Sequence, residues 1–460
     1  MAATMPDRVL VIGLGVTGEA VVRQLRRRDV DVTLVDDRVT DATRATAARL
    51  GVALAADADM ATLVAAVDVV CPSPGVPFAH PAIQAALASG TPVWSEFELA
   101  ARWDDRPVLA ITGTNGKTTV TTMVTEMVIA GGRRAVAAGN NDLPLVDALD
   151  DRSVEVFVVE ASSFRLEFTE TFRPRVAGWL NLTPDHLDWH PDVEHYARAK
   201  ARIWQWQHTD DVAVANADDA EVMRWARTAP GRVVTFSLDA AAAAAGDVHY
   251  AADAGALVRI ERGAGVERIA GIDDLARALP HDLRNALAAV AIAREGGVDL
   301  DACARVLRSF SGLPHRVQLV GDAGGVRWYD DSKATTPASV VAAIEGFESA
   351  VLIAGGRNKG LDLSGLRALS PRLRAVVAIG EAAPLVAATF EGATTVVTAS
   401  SMDEAVDAAA EHARPGDAVV LSPACASFDW YRSYGERGDD YARAVNALAG
   451  TTGGTRGNRS

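Results

Sequence analysis

The chain reads as an α/β protein of three domains, each built on an open, mostly parallel sheet, and three observations predict it. Its 460 residues exceed what one hydrophobic core organises. Short apolar runs of buried-strand type alternate with stretches of helical periodicity. Glycine-rich or polar clusters follow the ends of these runs, where open α/β sheets hold their ligands. The expected division is residues 1–106, 107–311 and 312–450, with a disordered Gly/Thr/Arg-rich tail at 451–460.

The first domain opens with a strand at 8–12 and the glycine turn Gly13-Leu14-Gly15-Val16-Thr17-Gly18. A helix is expected at 19–28 and a second strand at 32–35, with Asp36 just after it. Strand, glycine turn, helix and following acid make the dinucleotide fingerprint, so this domain is Rossmann-like. NAD is the simplest ligand for it. The same turn cradles any diphosphate, however, and Asp36-Asp37-Arg38 mixes charges. A strand at 67–71 then leads into the rigid loop Pro72-Ser73-Pro74-Gly75-Val76-Pro77, and the charged turn Asp104-Asp105-Arg106-Pro107 closes the domain.

The central domain is P-loop ATPase-like. A strand at 107–111 runs into Gly113-Thr114-Asn115-Gly116-Lys117-Thr118-Thr119, and apolar residues at Val120, Met123, Val124, Met127 and Val128 follow at helical spacing. Backbone N–H groups of such a loop point into the turn, and the helix N-terminus adds positive potential. Lys117 can reach terminal phosphates, and the Thr118 hydroxyl can ligate Mg²⁺. The usual pattern places a glycine where this chain has Ile111. After the loop Gly139-Asn140-Asn141-Asp142, a strand at 154–159 ends in Glu160, where a Mg²⁺-directing carboxylate belongs. A strand at 176–181 opens into Leu182-Thr183-Pro184-Asp185-His186-Leu187-Asp188, rich in metal and base candidates. A helix at 193–206 carries Lys200, which alone reads as a surface charge. Alanine- and glycine-rich strands and loops extend to about residue 270, and a helix at 283–294 has His281 and Asn285 near its start.

The third domain has strands at 326–330, 350–354, 375–379 and 418–421. They end in Asp331-Ser332-Lys333, Gly355-Gly356-Arg357-Asn358-Lys359-Gly360, Gly380-Glu381 and Ser422-Pro423-Ala424-Cys425-Ala426-Ser427-Phe428-Asp429. Net charge is −15, which argues against a nucleic-acid partner. Cys71, Cys303 and Cys425 show no metal spacing and suit a reducing compartment. No leader and no run of membrane-spanning length is read, so a cytoplasmic protein without membrane insertion is expected, and nothing demands more than a monomer. Three ligand-bearing α/β units, one with an ATP-type loop, suit a reaction in which ATP is spent to join two molecules.

The phosphate loop resembles that of the Mur ligase family, whose variant lacks the same first glycine. Further strings are similar to that family in order along nearly the whole chain: the turn at 13–18, Glu160-Ala161-Ser162-Ser163-Phe164-Arg165-Leu166-Glu167, the string at 183–188, and Gly312-Leu313-Pro314-His315-Arg316. Asp331-Ser332-Lys333-Ala334-Thr335 and the string at 421–427 point to the family's D-glutamate-adding branch. The resemblance implies ATP-dependent addition of D-glutamate to UDP-N-acetylmuramoyl-L-alanine. It implies that Gly15, Val16, Thr17, Asp36, Asp37, Arg38 and Ser73 hold the UDP end, in place of NAD, with Asn140 and His186 near the substrate carboxylate. Gly113, Thr114, Asn115, Gly116, Lys117, Thr118 and Thr119 would hold ATP phosphates, and Asn285, Arg316 and Asp331 would contact ATP across a domain gap that closes on binding. Thr118 and Glu160 would organise one Mg²⁺, and His186 with a carbamylated Lys200 a second. Thr335, Lys359, Ser427, Phe428 and Tyr434 would hold D-glutamate. Two places depart from the family's pattern: Asn141-Asp142, where a glycine is usual at the second position, and Arg357-Asn358 before Lys359.

Overall fold

In the computed structural model, residues 5–55, 59–141, 143–245 and 247–453 are described. Asp142, one of the two departures, lies outside them. The chain forms two compact units, Met1–Ala278 with Asp282–Phe310, and Leu279–His281 with Ser311–Ser460.

The first unit holds two sheets. In the smaller, strands Ala53–Leu54, Asp31–Val35, Arg8–Ile12 and Val69–Pro72 lie side by side in that order, all parallel. The larger has nine strands. Val108–Thr112 lies inside it, between Val176–Trp179 and Val156–Glu160, all parallel. Both faces of this strand are buried, Ala110 in one apolar cluster and Leu109 and Ile111 in another, which is why it reads as an unbroken apolar run. One end of the sheet finishes in antiparallel pairings of Val248–Asp253, Ala256–Glu261 and Gly265–Gly271. A single buried cluster runs from Val9 and Leu25 of the small sheet through Phe97 to Trp179 and Trp204 of the large one, so the two sheets share a core.

The second unit has a six-stranded sheet. Val326–Asp330, Ala418–Ala424, Ala350–Gly355, Leu373–Ile379 and Thr395–Ala399 are parallel, with Gln318–Ala323 antiparallel at one edge. Among the described residues no helix is long and apolar enough to cross a membrane.

Three expectations need correction. The first helix spans Val16–Arg26, not 19–28. Gly15 is its extended N-cap, and Gly18 packs so closely that a Cβ there would sit 1.9 Å from the Gly13 carbonyl oxygen. Val16 and Thr17 thus belong to the first helical turn. The helix expected at 283–294 starts at Pro280, since proline has no N–H to lose in a first turn. The final helix, Tyr434–Gly453, enters the expected disordered tail, whose residues 454–460 lie outside the described residues.

Candidate active site

The phosphate loop is shaped by two left-handed or strained glycines, Gly113 (φ 156°) and Gly116 (φ 85°), before the helix Lys117–Ala130. Gly116 also permits close approach: a Cβ there would lie 2.6 Å from Asn285 Oδ1, so Asn285 stands against the loop. Lys117 Nζ donates to the carbonyls of Gly113 and Thr114, both at 2.8 Å. Asn181 braces the loop from the next strand end. Its Oδ1 accepts from the Thr114 and Asn115 N–H groups at 3.0 and 2.9 Å, and its Nδ2 donates to the Asn115 carbonyl.

Glu160 ends the neighbouring strand in register with Ile111 and Gly139. It is buried. Its Oε1 accepts from Asn140 Nδ2 at 2.9 Å, while its Oε2 is buried with no hydrogen-bond partner. An unpaired buried carboxylate oxygen is costly unless a cation or donor completes it. Asn140 Oδ1 in turn accepts from Arg165, which also pairs with Glu96 at 2.6 Å and donates to Thr17 Oγ1 at 3.0 Å.

Lys200 is not a surface charge: it is buried, on the helix Val193–Gln205. Its Nζ donates to the Gly113 carbonyl at 2.9 Å, the oxygen that Lys117 also uses, and lies 4.6 Å from the centroid of the Tyr196 ring. Burial first, then the Lys117 charge, lowers its pKa well below the lysine range. His186 adopts a left-handed backbone (φ 54°), packs edge-on to Phe164, and lies 6.2 Å from Tyr196 between ring centroids. Tyr196 therefore contacts both His186 and Lys200, and its hydroxyl lies 3.2 Å from Thr114 Oγ1. Behind them, His190 joins Ser163 Oγ and His195 Nδ1, each at 2.9 Å, and burial, then His195, pulls its pKa down to about 3. Among the described residues no three His, Cys, Asp or Glu side chains converge as a metal cage.

At the first glycine turn, Asp36 is committed to the chain itself, accepting from the N–H groups of Leu14 (2.7 Å) and Arg38 (2.8 Å). Asp37 pairs with His80 at 3.2 Å, and Ser73 Oγ donates to the Gly13 carbonyl at 2.8 Å. Gly15, Val16 and Thr17 present the first helical turn, with Val16 exposed.

In the second unit Asp331 is buried, accepting from Ser422 Oγ at 2.7 Å and the Val317 N–H at 3.2 Å. Burial pushes its pKa up to about 7, with Ser422, Val317 and Arg316 opposing. Lys359 Nζ lies 5.3 Å from the centroid of the exposed Phe428 ring, and Lys333 Nζ 3.8 Å from that of Tyr434. Ser427 is buried, its carbonyl accepting from the Tyr431 N–H, while Thr335 follows the Asp331-Ser332-Lys333 turn with its N–H on the Lys333 carbonyl. Arg357 pairs with Glu381 at 2.8 Å, which neutralises the extra charge of that departure.

Reading the sequence alone gave no role to Asn181, Arg165, Glu96, Tyr196 and, in the second unit, His315 and Arg437. His315 pairs with Asp330 at 2.7 Å, and buried Arg437 donates to Ser332 Oγ and to the Ser332 and Cys425 carbonyls. Arg165 and Arg437 stand out by their burial, which is invisible before the fold is known, so the sequence offered no signal for them.

Residues 7–95 match the family described as Mur ligase MurD-like, N-terminal domain; residues 111–293 match the Mur ligase middle domain, and 315–425 the Mur ligase, glutamate ligase domain. The chain is 44% identical over 451 residues to a UDP-N-acetylmuramoylalanine--D-glutamate ligase of Frankia casuarinae, covering 96% of this chain and 94% of that one. It is 41% identical over 459 residues to the protein of the same name from Myxococcus xanthus, covering 96% and 98%. Its fold is similar to UDP-N-acetylmuramate-alanine ligase MurC from Thermotoga maritima, with TM-score 0.54, 17% identity and coverage of 96% and 99%. It is also similar to MurF from Acinetobacter baumannii, with TM-score 0.55, 20% identity and 90% of each chain covered.

Proposed function

The chain belongs to the Mur ligase family, and we propose that it joins D-glutamate to UDP-N-acetylmuramoyl-L-alanine with cleavage of ATP to ADP and phosphate. The observation that carries this is end-to-end similarity to ligases of that name, at 44% identity over 96% of the chain. The reaction belongs to cytoplasmic peptidoglycan precursor synthesis, and we read the protein as acting as a monomer. The labour divides as residues 1–106 for the UDP substrate, 107–311 for ATP and 312–450 for the amino acid.

The first turn of Val16–Arg26, with Gly15, Val16 and Thr17, receives the UDP diphosphate through its N–H groups. Ser73, Asp36, Asp37 and Arg38 shape and border that turn. Asn140 and His186 face the alanyl carboxylate. The loop from Gly113 to Thr119 and Asn285 hold ATP, and Arg316 and Asp331 serve the same ligand. Lys117 leaves its loop carbonyls for the terminal phosphate and spreads the charge that develops there. The alanyl carboxylate oxygen attacks the γ-phosphorus, ADP leaves, and an acyl phosphate forms. The D-glutamate amine then attacks the acyl carbon, and the tetrahedral intermediate expels phosphate. Lys359 pairs with a D-glutamate carboxylate, bordered by Thr335, Ser427, Phe428 and Tyr434.

The oxygen-donor chemistry fits Mg²⁺: Thr118 and the unpaired Glu160 Oε2 would hold one ion. His186 and Lys200 would hold a second. When bound, the metal supplies charge neutralisation on the phosphates. Lys200 fits the carbamate reading because its amine is buried and its pKa lowered, and a neutral amine adds CO₂ and gives up a proton to become an anionic oxygen ligand.

The test is phosphate release from ATP with UDP-N-acetylmuramoyl-L-alanine and, in turn, D-glutamate, L-glutamate or other amino acids. D-glutamate alone should stimulate release. Equal stimulation by the others sinks the specific assignment.

A further inference from the structure

We propose that Arg165 is a positioning residue that locks the amide of Asn140, thereby aims the Glu160 carboxylate at its metal, and ties that carboxylate to the substrate helix through Thr17. This rests on the reading above for what Glu160 and Thr17 hold. The geometry runs through five side chains. Arg165 Nε donates to Glu96 Oε1 at 2.6 Å, one terminal nitrogen to Asn140 Oδ1 at 2.9 Å, and the other to Thr17 Oγ1 at 3.0 Å. Asn140 Nδ2 then donates to Glu160 Oε1 at 2.9 Å.

The chemistry of each group leaves one arrangement. A guanidinium only donates, and a carboxylate only accepts. An asparagine between them must turn its oxygen to Arg165 and its nitrogen to Glu160; the flipped amide would set donor against donor and acceptor against acceptor. Asn140 thus has a fixed orientation, and it occupies Oε1 of Glu160 while leaving Oε2 buried without a partner. That unpaired oxygen is the one available to a cation.

Arg165 is itself immobilised. It is buried, as is Glu96, and their contact fixes the guanidinium plane. Three elements meet on that plane: the helix Glu96–Trp103, the loop after the strand Ala135–Gly139, and the helix Val16–Arg26. A lysine has the charge but no planar fork, so it cannot hold all three directions at once. Groups that orient a metal ligand in this way commonly change metal affinity without touching the ion.

Two variants test the proposal. Arg165→Lys keeps the buried charge beside Glu96 and loses the fork. Arg165→Met with Glu96→Gln removes the buried pair together. For each, thermal midpoints report folding, electron paramagnetic resonance titration with Mn²⁺ and a non-hydrolysable ATP analogue reports the metal, and calorimetry with UDP-N-acetylmuramoyl-L-alanine alone reports the substrate. Folded variants should bind Mn²⁺ about tenfold more weakly, and bind the UDP substrate several-fold more weakly. Adding Asn140→Ala to Arg165→Lys should cost little more Mn²⁺ affinity, because both changes release the same amide. Mn²⁺ affinity within twofold of the parent in folded Arg165→Lys overturns the proposal. So does a full, additive loss on adding Asn140→Ala. D-glutamate-dependent phosphate release by the parent enzyme is measured alongside, so failure of the ligase reading appears there and not in the Mn²⁺ comparison.

Discussion

Lys117 and Lys200 donate to one carbonyl oxygen, that of Gly113, at 2.8 and 2.9 Å. Two ammonium groups so placed repel, and burial charges the cost to Lys200, whose pKa falls well below the lysine range. Burial thus favours its neutral amine, the form the proposed carbamate requires. Enzyme equilibrated with ¹³C-bicarbonate should show a protected carbamate carbon signal, absent from Lys200→Arg; the same signal in both would refute the assignment. Lys117→Ala removes the group proposed to meet the transferring phosphate, so turnover should vanish with the thermal midpoint little changed. Arg165 gives a stability counterpart. Arg165→Met alone strands buried Glu96, at a cost of about 3–5 kcal/mol, whereas adding Glu96→Gln should recover much of it. Chemical denaturation of both variants measures the difference, and equal loss in the two would show that the stranded charge is not the cause. The places of Lys117 at the start of its helix and Glu160 at its strand end were legible because their neighbours in sequence carry the signal. Arg165 was quoted within a motif yet its role was hidden, since Glu96, Asn140 and Thr17 lie 69, 25 and 148 residues away.

At the scale of elements, the helix Val16–Arg26 shows what local reading misses. Val16 and Thr17 resemble turn residues after a glycine, and the helical period becomes visible only beyond Gly18. The start is set by packing: Gly18 lies against the Gly13 carbonyl and Ser73 Oγ, where a Cβ would come to 1.9 and 2.6 Å. The nearer atom is backbone and cannot swing away. Gly18→Ala should therefore force the turn open, costing about 1–3 kcal/mol and weakening binding of the UDP substrate. Calorimetric titration checks this, and unchanged affinity would show that the turn does not need the contact. Parallel strands were legible as unbroken apolar runs because both their faces are covered. The antiparallel strands between 248 and 271 were only loosely read, since alanine and glycine carry little contrast between faces.

At the scale of the whole molecule, three α/β sheets could be expected from the recurring runs, but strand order could not. The place of Val108–Thr112 between two later strands is set by pairings far apart in sequence, and so is the core that the first two sheets share. The charge balance of the second unit has an equally non-local consequence. Asp331 is pushed from its ordinary 3.8 up to about 7, chiefly by burial, and Asp417 is pulled down to about 2, chiefly by its hydrogen bond with Arg374. These act with opposite sign. Folded Asp331 keeps a proton that the unfolded chain has lost, so its contribution to stability falls as pH rises from about 4 to about 7, by an upper bound of roughly 4 kcal/mol. Asp417 stabilises fully above about pH 4, and that gain is lost as pH falls toward 2. Taken together they favour the fold most near pH 4, and burial of Asp331 costs stability once it ionises. Asp331→Asn should raise the thermal midpoint at pH 8, leave it nearly unchanged at pH 4, and abolish phosphate release. Asp417→Asn should lower the midpoint at pH 7, with the difference closing toward pH 2. Midpoints measured from pH 2 to 8 decide both, and an Asp331→Asn curve parallel to the parent's between pH 4 and 7 would mean that Asp331 is already ionised in the folded chain.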